Sequence, residues 1–587
     1  MTPPPVTARW IRDWTFDERA PFWTRANAGE VIPDPPSPLS WDLVFGNGGS
    51  IAGWRDCAVD RLGMGADEMH EENFEQAGIF GGYFYLGATV TRVWAERTPG
   101  MSAAMIDAAY FGEHPDVPAY VAEPWHRNDA TTAKMGEWLG WVMGSMDQSE
   151  LEDDRLLAHA IRNGRPDLAA LTNSELLERA VSMRSVCRRM FNQHINQTGA
   201  ASIGPGALGA ICAAVGRPQD TLGLMSGLGG VDSAAPTYAM WDLGRIVQKS
   251  SALTNLFGAH TTGLMAALRL DGSGDANNLV SQIDAFLREW GSRGPNEWDI
   301  LADTWETNPD LLLALIDRMR LLPDTASPAL HTAARETERS RLIAEIGAMV
   351  AGDVETSGTF AAATASAATF VPGRERSKTN IIRVIGEVRM AMRELGARLV
   401  QSGDLADAKD VCFLFEDELR ARCESTPLSG GLRAVVAERR AYHEWLESLE
   451  PPFIISGTVP PVHTWPKKSA HIAVAATVGE VLHGMAGCSG VVRGRACVIL
   501  DPSDPTALEF GDILIAPVTD PAWTPLFVPA AGVVVDVGAA LSHAIIVSRE
   551  LGIPCVVSVT DATRKIAHGA MIEVNGDAGT VTVLGLP

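Results

Sequence analysis

The sequence lacks what a membrane, nucleic-acid or oxidising setting would require. No uninterrupted apolar run in the 587 residues approaches the ~18 needed to span a bilayer. The opening MTPPPVTARWIRDW has no apolar core of the signal-peptide kind. Basic residues are in deficit, 48 Lys and Arg against 72 Asp and Glu, for a formal charge of −24. That balance excludes a nucleic-acid backbone as partner, because such surfaces need clustered cations. Eight cysteines stand at 57, 187, 212, 412, 423, 488, 497 and 555 without CxxC or Cys/His ligand spacing. Reduced thiols in a cytoplasmic protein are expected, with no metal site. No GxxxxGK[ST] phosphate loop occurs. What is present, 46% hydrophobic and 20% charged residues, is ordinary for a folded chain. The length suggests about three or four domains.

The most informative stretch is AAGVVVDVGAALSHAIIVSRELGIPCVVSV, Ala530 to Val559. Gly532 to Val537 is an apolar run that reads as a strand. Gly538, Ala539 and Ala540 form a small-residue loop, and Ser542 stands where a helix N-cap belongs. The helix should run from His543 to Leu551, stopped by Gly552 and Pro554, with a second strand from Cys555 to Val559. His543 then sits in a first turn, where free N–H groups and the positive helix end favour an anion. A capping or surface histidine would fit the same place, so position alone leaves both readings open.

GAALSHAIIVSRELGIPCVV closely resembles the phosphorylation-site signature of the phosphoenolpyruvate-utilising enzymes, whose swivelling domain carries a phosphohistidine. GMAGCSGVVRGRACVILDP (Gly484 to Pro502) is similar to that domain's first strands. GDILIAPVTDPAWTPLF (Gly511 to Phe527) is similar to its central strand and following loop. The resemblance implies that His543 is the phosphoryl carrier and that Ser542, Gly538 and Thr519 surround the phosphate. One departure stands out: Leu541 replaces the Thr or Asn usual in the dikinase branch, and Leu-Ser-His resembles the branch acting on organic hydroxyl groups.

Upstream, NAGEVIPDPPSPLSW (Asn27 to Trp41) resembles the segment that opens the acceptor-binding domain of rifampin-phosphotransferase-like proteins. GGYFYLGATVTR (Gly81 to Arg92) predicts a short strand or hairpin. Helical patterns follow to about residue 445. Thr172 and Glu175 form a capping box. Leu176, Ala180, Met183, Cys187, Met190 and His194 then share one face. His194, which closes that face, is a candidate general base or, as the commoner use of such a position, a helix-end core histidine. His126 and His260 carry no supporting pattern. Pro205 to Cys212 and Gly227 to Gly230 read as glycine-rich breaks between helices.

From Arg374 to Val400 a second helix carries Ile381, Ile385, Val388, Met392, Leu395 and Leu399 as an inward stripe. Extended backwards, that line reaches Lys378 and Arg374. Cations so placed need a partner, and a phosphate or a carboxylate such as Glu375 would serve. GRERSKTN also resembles the RExxK region that faces the phosphohistidine in the family. Glu297 and Asp299 are open to acid/base, Mg2+-binding or surface roles.

ESLEPPFIISGTVPPVHTWPKKSAHIAV (Glu447 to Val474) reads as a Pro-rich linker, or as a long packed loop. The expected organisation is multidomain: a mostly α-helical acceptor domain with small β elements over 1–446, a linker over 447–474, and a C-terminal α/β swivelling phosphohistidine domain over 475–587. The resemblance implies a phosphotransferase using ATP and Mg2+, with AMP and phosphate as by-products in ATP-using relatives. No stretch resembles an ATP-grasp domain or the C-terminal barrel of the dikinases. The expectation is therefore a split enzyme, similar to the histidine-bearing subunit of phenylphosphate or 4-methylbenzyl phosphate synthase. A separate ATP-grasp subunit would be its partner, and a small aromatic alcohol or phenol its acceptor. A non-catalytic phosphocarrier and an antibiotic-inactivating phosphotransferase subunit are the alternatives.

Overall fold

A computed structural model describes residues 7–46, 48–111, 114, 116–259, 262–424, 431–470, 473–501, 508–539 and 542–587. Two long helices, Asn173–Ala214 and Val354–Gln401, pack along each other as the spine of a helical body. The first starts on the expected capping box: Glu175 N–H donates to Thr172 Oγ1 at 3.2 Å, and Thr172 N–H to Glu175 Oε2 at 2.7 Å. Leu176, Ala180, Met183, Cys187 and Met190 are buried along it.

The glycine-rich break expected over Pro205 to Cys212 does not occur. The helix runs through Pro205, and its small residues serve close packing instead. A Cβ on Gly204 would lie 2.7 Å from Ala367 N and 2.8 Å from Ala363 O of the facing helix. That facing helix starts well before Arg374, passes Pro372, and buries the predicted stripe from Ile381 to Leu399.

A small antiparallel sheet, in the order β2-β3-β1-β4, flanks the spine. It comprises β1 (Phe22–Thr24), β2 (Ala77–Phe80), β3 (Tyr83–Gly87) and β4 (Ile454–Ser456). Gly81 and Gly82, at φ +59° and +80°, make the tight hairpin turn. The chain leaves β3 directly into a helix, Ala88–Arg97, rather than continuing as strand. The stretch read as a linker is largely part of this body. Ile455 and Trp465 join Phe80, Tyr83 and Tyr85 in one apolar cluster, and Tyr83 Oη donates to Leu446 O at 2.7 Å. Its apolar side chains thus find a sheet edge to cover.

The C-terminal domain is α/β, as expected. Its strands are β5 (Val481–His483), β6 (Met485–Cys488), β7 (Val491–Val498), β8 (Ile513–Ala516), β9 (Gly532–Val535), β10 (Cys555–Val557), β11 (Met571–Asn575) and β12 (Thr580–Gly585). They order as β5-β12-β11-β7-β8-β9-β10-β6. The run β7-β8-β9-β10 is parallel, and β8 and β9 are buried throughout, the mark of a sheet covered on both faces. The domain is docked on the body: Trp523, Leu526, Phe527 and Leu551 share an apolar core with helices Ala235–Lys249, Gly274–Trp290 and Pro309–Arg320. Among the described residues no helix is long and apolar enough to cross a membrane.

Candidate functional site

His543 opens the helix His543–Leu551, at the C-terminal side of the parallel strands. Gly552, at φ +68°, closes that helix. Only 8% of His543 is exposed. Both ring nitrogens meet hydroxyls of its own domain: Nδ1 lies 3.1 Å from Thr519 Oγ1 and Nε2 lies 2.9 Å from Thr524 Oγ1. Phe527 stands edge-on to the ring at 6.0 Å. Ser542 takes the N-cap position in an extended conformation, yet its buried Oγ has no hydrogen-bond partner among the described residues. Gly538 is tightly enclosed, since a Cβ there would lie 2.8 Å from Val557 Cβ and 3.2 Å from Ser542 Oγ. The three residues expected around the phosphate are thus gathered at the ring's end of the helix. Thr524 was not expected, although it lies within the TDPAWTPLF stretch.

The body supplies the cations. Burial, then Lys378, Arg293 and Arg374, hold the His543 imidazole well below its usual pKa. The ring is therefore neutral, the form in which its nitrogen is a nucleophile. Arg374 Nη1 pairs with Glu375 Oε1 at 2.5 Å, the carboxylate alternative raised by the sequence. Lys378 Nζ lies 3.4 Å from Glu297 Oε1 and 5.9 Å from the Trp298 ring centre. Arg293 is the member that sequence reading missed. It pairs with Glu297 through Nε at 2.7 Å and Nη2 at 3.2 Å, and reaches Thr379 Oγ1 at 2.7 Å. Asp520 accepts N–H groups from Asn296 (3.0 Å) and Ala522 (2.8 Å), joining body to docked domain. Burial and the neighbouring Glu297 push its carboxyl up to about 6.

Beside this cluster lies a cavity of about 470 Å³, walled mainly by apolar side chains such as Phe45, Ile51, Trp54 and Phe84. Arg374, His194 and Ala539 of the docked domain also border it. His194 Nδ1 meets Ser377 Oγ at 2.9 Å. Burial first, then Arg374 and Lys378, pull its pKa down to about 3. Glu30 is a second residue that sequence reading passed over. Its carboxyl accepts the Ala539 N–H, one oxygen is buried without a partner, and burial pushes its pKa up to about 8 against the pull of Arg374 and Lys378. The signal was an acid inside the apolar run of NAGEVIP.

The carboxylates here do not make a Mg2+ cage. Glu297 and Glu375 are spent on cations, and Asp520 on backbone N–H groups. Asp299 is a structural acceptor for Ser37 N, Ser37 Oγ and Ser40 Oγ, at 2.6–2.7 Å. This replaces the acid/base and metal readings of Glu297 and Asp299. Among the described residues one cluster has ligand-like closeness, Asp17, His70 and Glu75, and Arg19 already pairs with two of its carboxylates. His126 is tied to Tyr120 and Glu123 instead. Leu541 and His260 lie outside the described residues.

Fold and site together define a two-body protein, in which a histidine-bearing α/β domain docks over the cations of a helical body. Comparison with known families agrees. Residues 193–375 match the rifampicin phosphotransferase fourth domain, and residues 508–579 match the mobile domain of PEP-utilising enzymes. Two segments of the chain are thus similar to domains found in the PEP-utilising enzymes and in rifampicin phosphotransferase. A rifampicin phosphotransferase of Streptomyces sviceus is 30% identical over 51% of this chain and 34% of its own length. An uncharacterized protein of Mycobacterium tuberculosis is 32% identical over 53% of this chain and 32% of its own. The prodigiosin synthesizing transferase PigC of Serratia marcescens is 27% identical over 98% of this chain and 64% of its own. The matched stretch is thus about a third of the first two relatives' length.

Proposed function

We propose that this chain carries a phosphoryl group on His543 from an ATP-grasp unit, outside these 587 residues, to the hydroxyl of an aromatic acceptor held in the helical body. ATP and Mg2+ would belong to that outside unit, because no nucleotide loop occurs here and Glu297, Glu375 and Asp520 are already committed. The carrying observation is the juxtaposition of a neutral, buried His543 with Lys378, Arg293 and Arg374, at the edge of the apolar cavity. Positioning and cationic stabilisation are what in-line phosphoryl transfer asks of a protein. In this reading Ser542, Gly538 and Thr519 hold the phosphoryl group on the travelling domain. Arg374 and Lys378 bind it at delivery, and His194 receives the acceptor's proton.

The cavity also bears on the acceptor. A dry cavity of ~150 Å³ suffices for benzene, so about 470 Å³ favours an aromatic alcohol or phenol with more than one ring. A phosphocarrier would need no such cavity. PigC and a chondramide synthase are named for synthesis, which favours a second reading: activation of a biosynthetic intermediate.

The test mixes the protein, a candidate ATP-grasp protein, β-labelled ATP and phenols, benzylic alcohols and multi-ring alcohols. Label should appear on His543 and pass to a multi-ring acceptor. Label that never leaves the protein points to the carrier, and label that never reaches His543 sinks the proposal.

A further inference from the structure

The helix that begins with His543 is gripped at its far end as well. His543, Ile546 and Glu550 follow at spacings of three and four, so they share one face. Ile546 packs against Val231 and Ala234 of the body. Glu550, 4% exposed, turns its carboxylate to the N–H groups of Gly229 and Leu228. Gly227 N–H reaches Arg549 O at 3.4 Å. From helix Pro328–Val350, Thr332 Oγ1 donates to Glu550 O at 3.1 Å and Arg335 Nη2 to Gly552 O at 3.0 Å. The last carbonyls of a helix have no partner within it, and a cation there suits the helix dipole. Here the partners come from the other body. The glycine-rich loop is built for the approach: Gly227, Gly229 and Gly230 have φ of +59°, +72° and +65°. A Cβ on Gly227 would lie 2.6 Å from Glu336 N.

We propose that the loop 226–233, together with Thr332 and Arg335, is a docking latch that reads the C-terminal end of the phosphohistidine helix. Glu550 is its key on the travelling domain. At about 1.5 Å per residue the latch lies roughly 12 Å from the ring. It positions His543 without touching the reacting atoms. The inference rests on the reading that His543 moves between two stations, and it identifies what holds the domain at one of them.

The test needs no phosphoryl donor, so its failure is distinct from a failure of His543 to accept phosphate. Diethyl pyrocarbonate acylates accessible neutral imidazoles, and peptide mass spectrometry of the full chain gives a rate for each histidine. His543 should react slowly in the unaltered protein. Glu550→Ala and Arg335→Ala should each speed it roughly two- to tenfold, the worth of one or two hydrogen bonds. Glu550→Gln, whose amide oxygen still accepts both N–H groups, should return the rate toward the original. Exposed His463 serves as the reference. An unchanged His543 rate in both alanine variants overturns the latch. So does an equal rise at His443, which is buried elsewhere in the body, because that would report general loosening.

Discussion

His543 and His194 sit in one electrostatic field on two different bodies. Burial lowers both, and Lys378 and Arg374 lower both further. Their anchors differ. His543 is held by Thr519 and Thr524 of its own domain, so ring and hydroxyls move together. His194 is held by Ser377, on the same helix as Arg374 and Lys378, so it stays with the cations. In the proposed delivery, that field would be shared between a fixed and a travelling imidazole. In the proposed transfer one ring would travel with its cargo, and the other would stay with the cations beside the cavity.

The first way to break this comparison removes the travelling ring. His543→Ala should bring acid-labile phosphate on the protein to background and end transfer, while thermal stability holds. Label retained in that variant would remove His543 from the mechanism. Next is the field itself. Lys378→Ala should leave loading of His543 nearly unchanged and slow delivery by roughly 10²–10³, the usual cost of one charge-stabilising donor. Arg374→Ala should match it in delivery and differ in stability. It removes the ion-pair partner of the buried Glu375, whereas Glu297 keeps Arg293 when Lys378 is lost. Single-turnover transfer and thermal midpoints separate the two. Removal of the fixed ring, His194→Asn, should cost delivery about 10² with a benzylic alcohol and less with a phenol, whose hydroxyl is more acidic. Equal effects on both acceptors would make His194 a packing residue.

Local signals explain which features were legible in the sequence. The small-residue loop, Ser542, Gly552 and Pro554 mark both ends of the His543 helix within seventeen residues, and the structure begins and ends it there. Periodicity alone brought Arg374 and Lys378 to the inward line of their helix. Arg293, Thr524 and Glu30 reach the site from distant segments, so no spacing along the chain links them to His543. The same limit misread Pro205 to Cys212. Glycines that look like a helix end from within the chain are, against a facing helix, the condition for contact. The glycine loop at 227–230 was legible as a turn, but its fit to Glu550 was not, because the two lie over three hundred residues apart.

Glu30 gives the smallest and most specific test. With the domains docked, its carboxyl accepts the Ala539 N–H and feels Arg374 and Lys378, and burial outweighs their pull, raising it from 4.5 to about 8. Tyr110 also faces it. The docked form therefore keeps a proton that an exposed carboxyl would release above pH 4.5, and docking takes that proton up. By linkage the docked state weakens as pH rises from about 4.5 to about 8, and is unaffected by this group above that. His543 acts in the opposite sense: its docked value is depressed, so docking weakens as pH falls below its ordinary 6.5. Between about pH 4.5 and 6.5 the two effects oppose and largely cancel, so delivery should be level there, falling as pH rises from 6.5 to about 8 and as it drops below 4.5. Glu30→Gln should flatten the alkaline limb up to pH 8 and leave the acid limb in place. An unaltered alkaline limb in that variant would show that docking leaves the protonation of Glu30 unchanged, and that only the two histidines respond to the shared field.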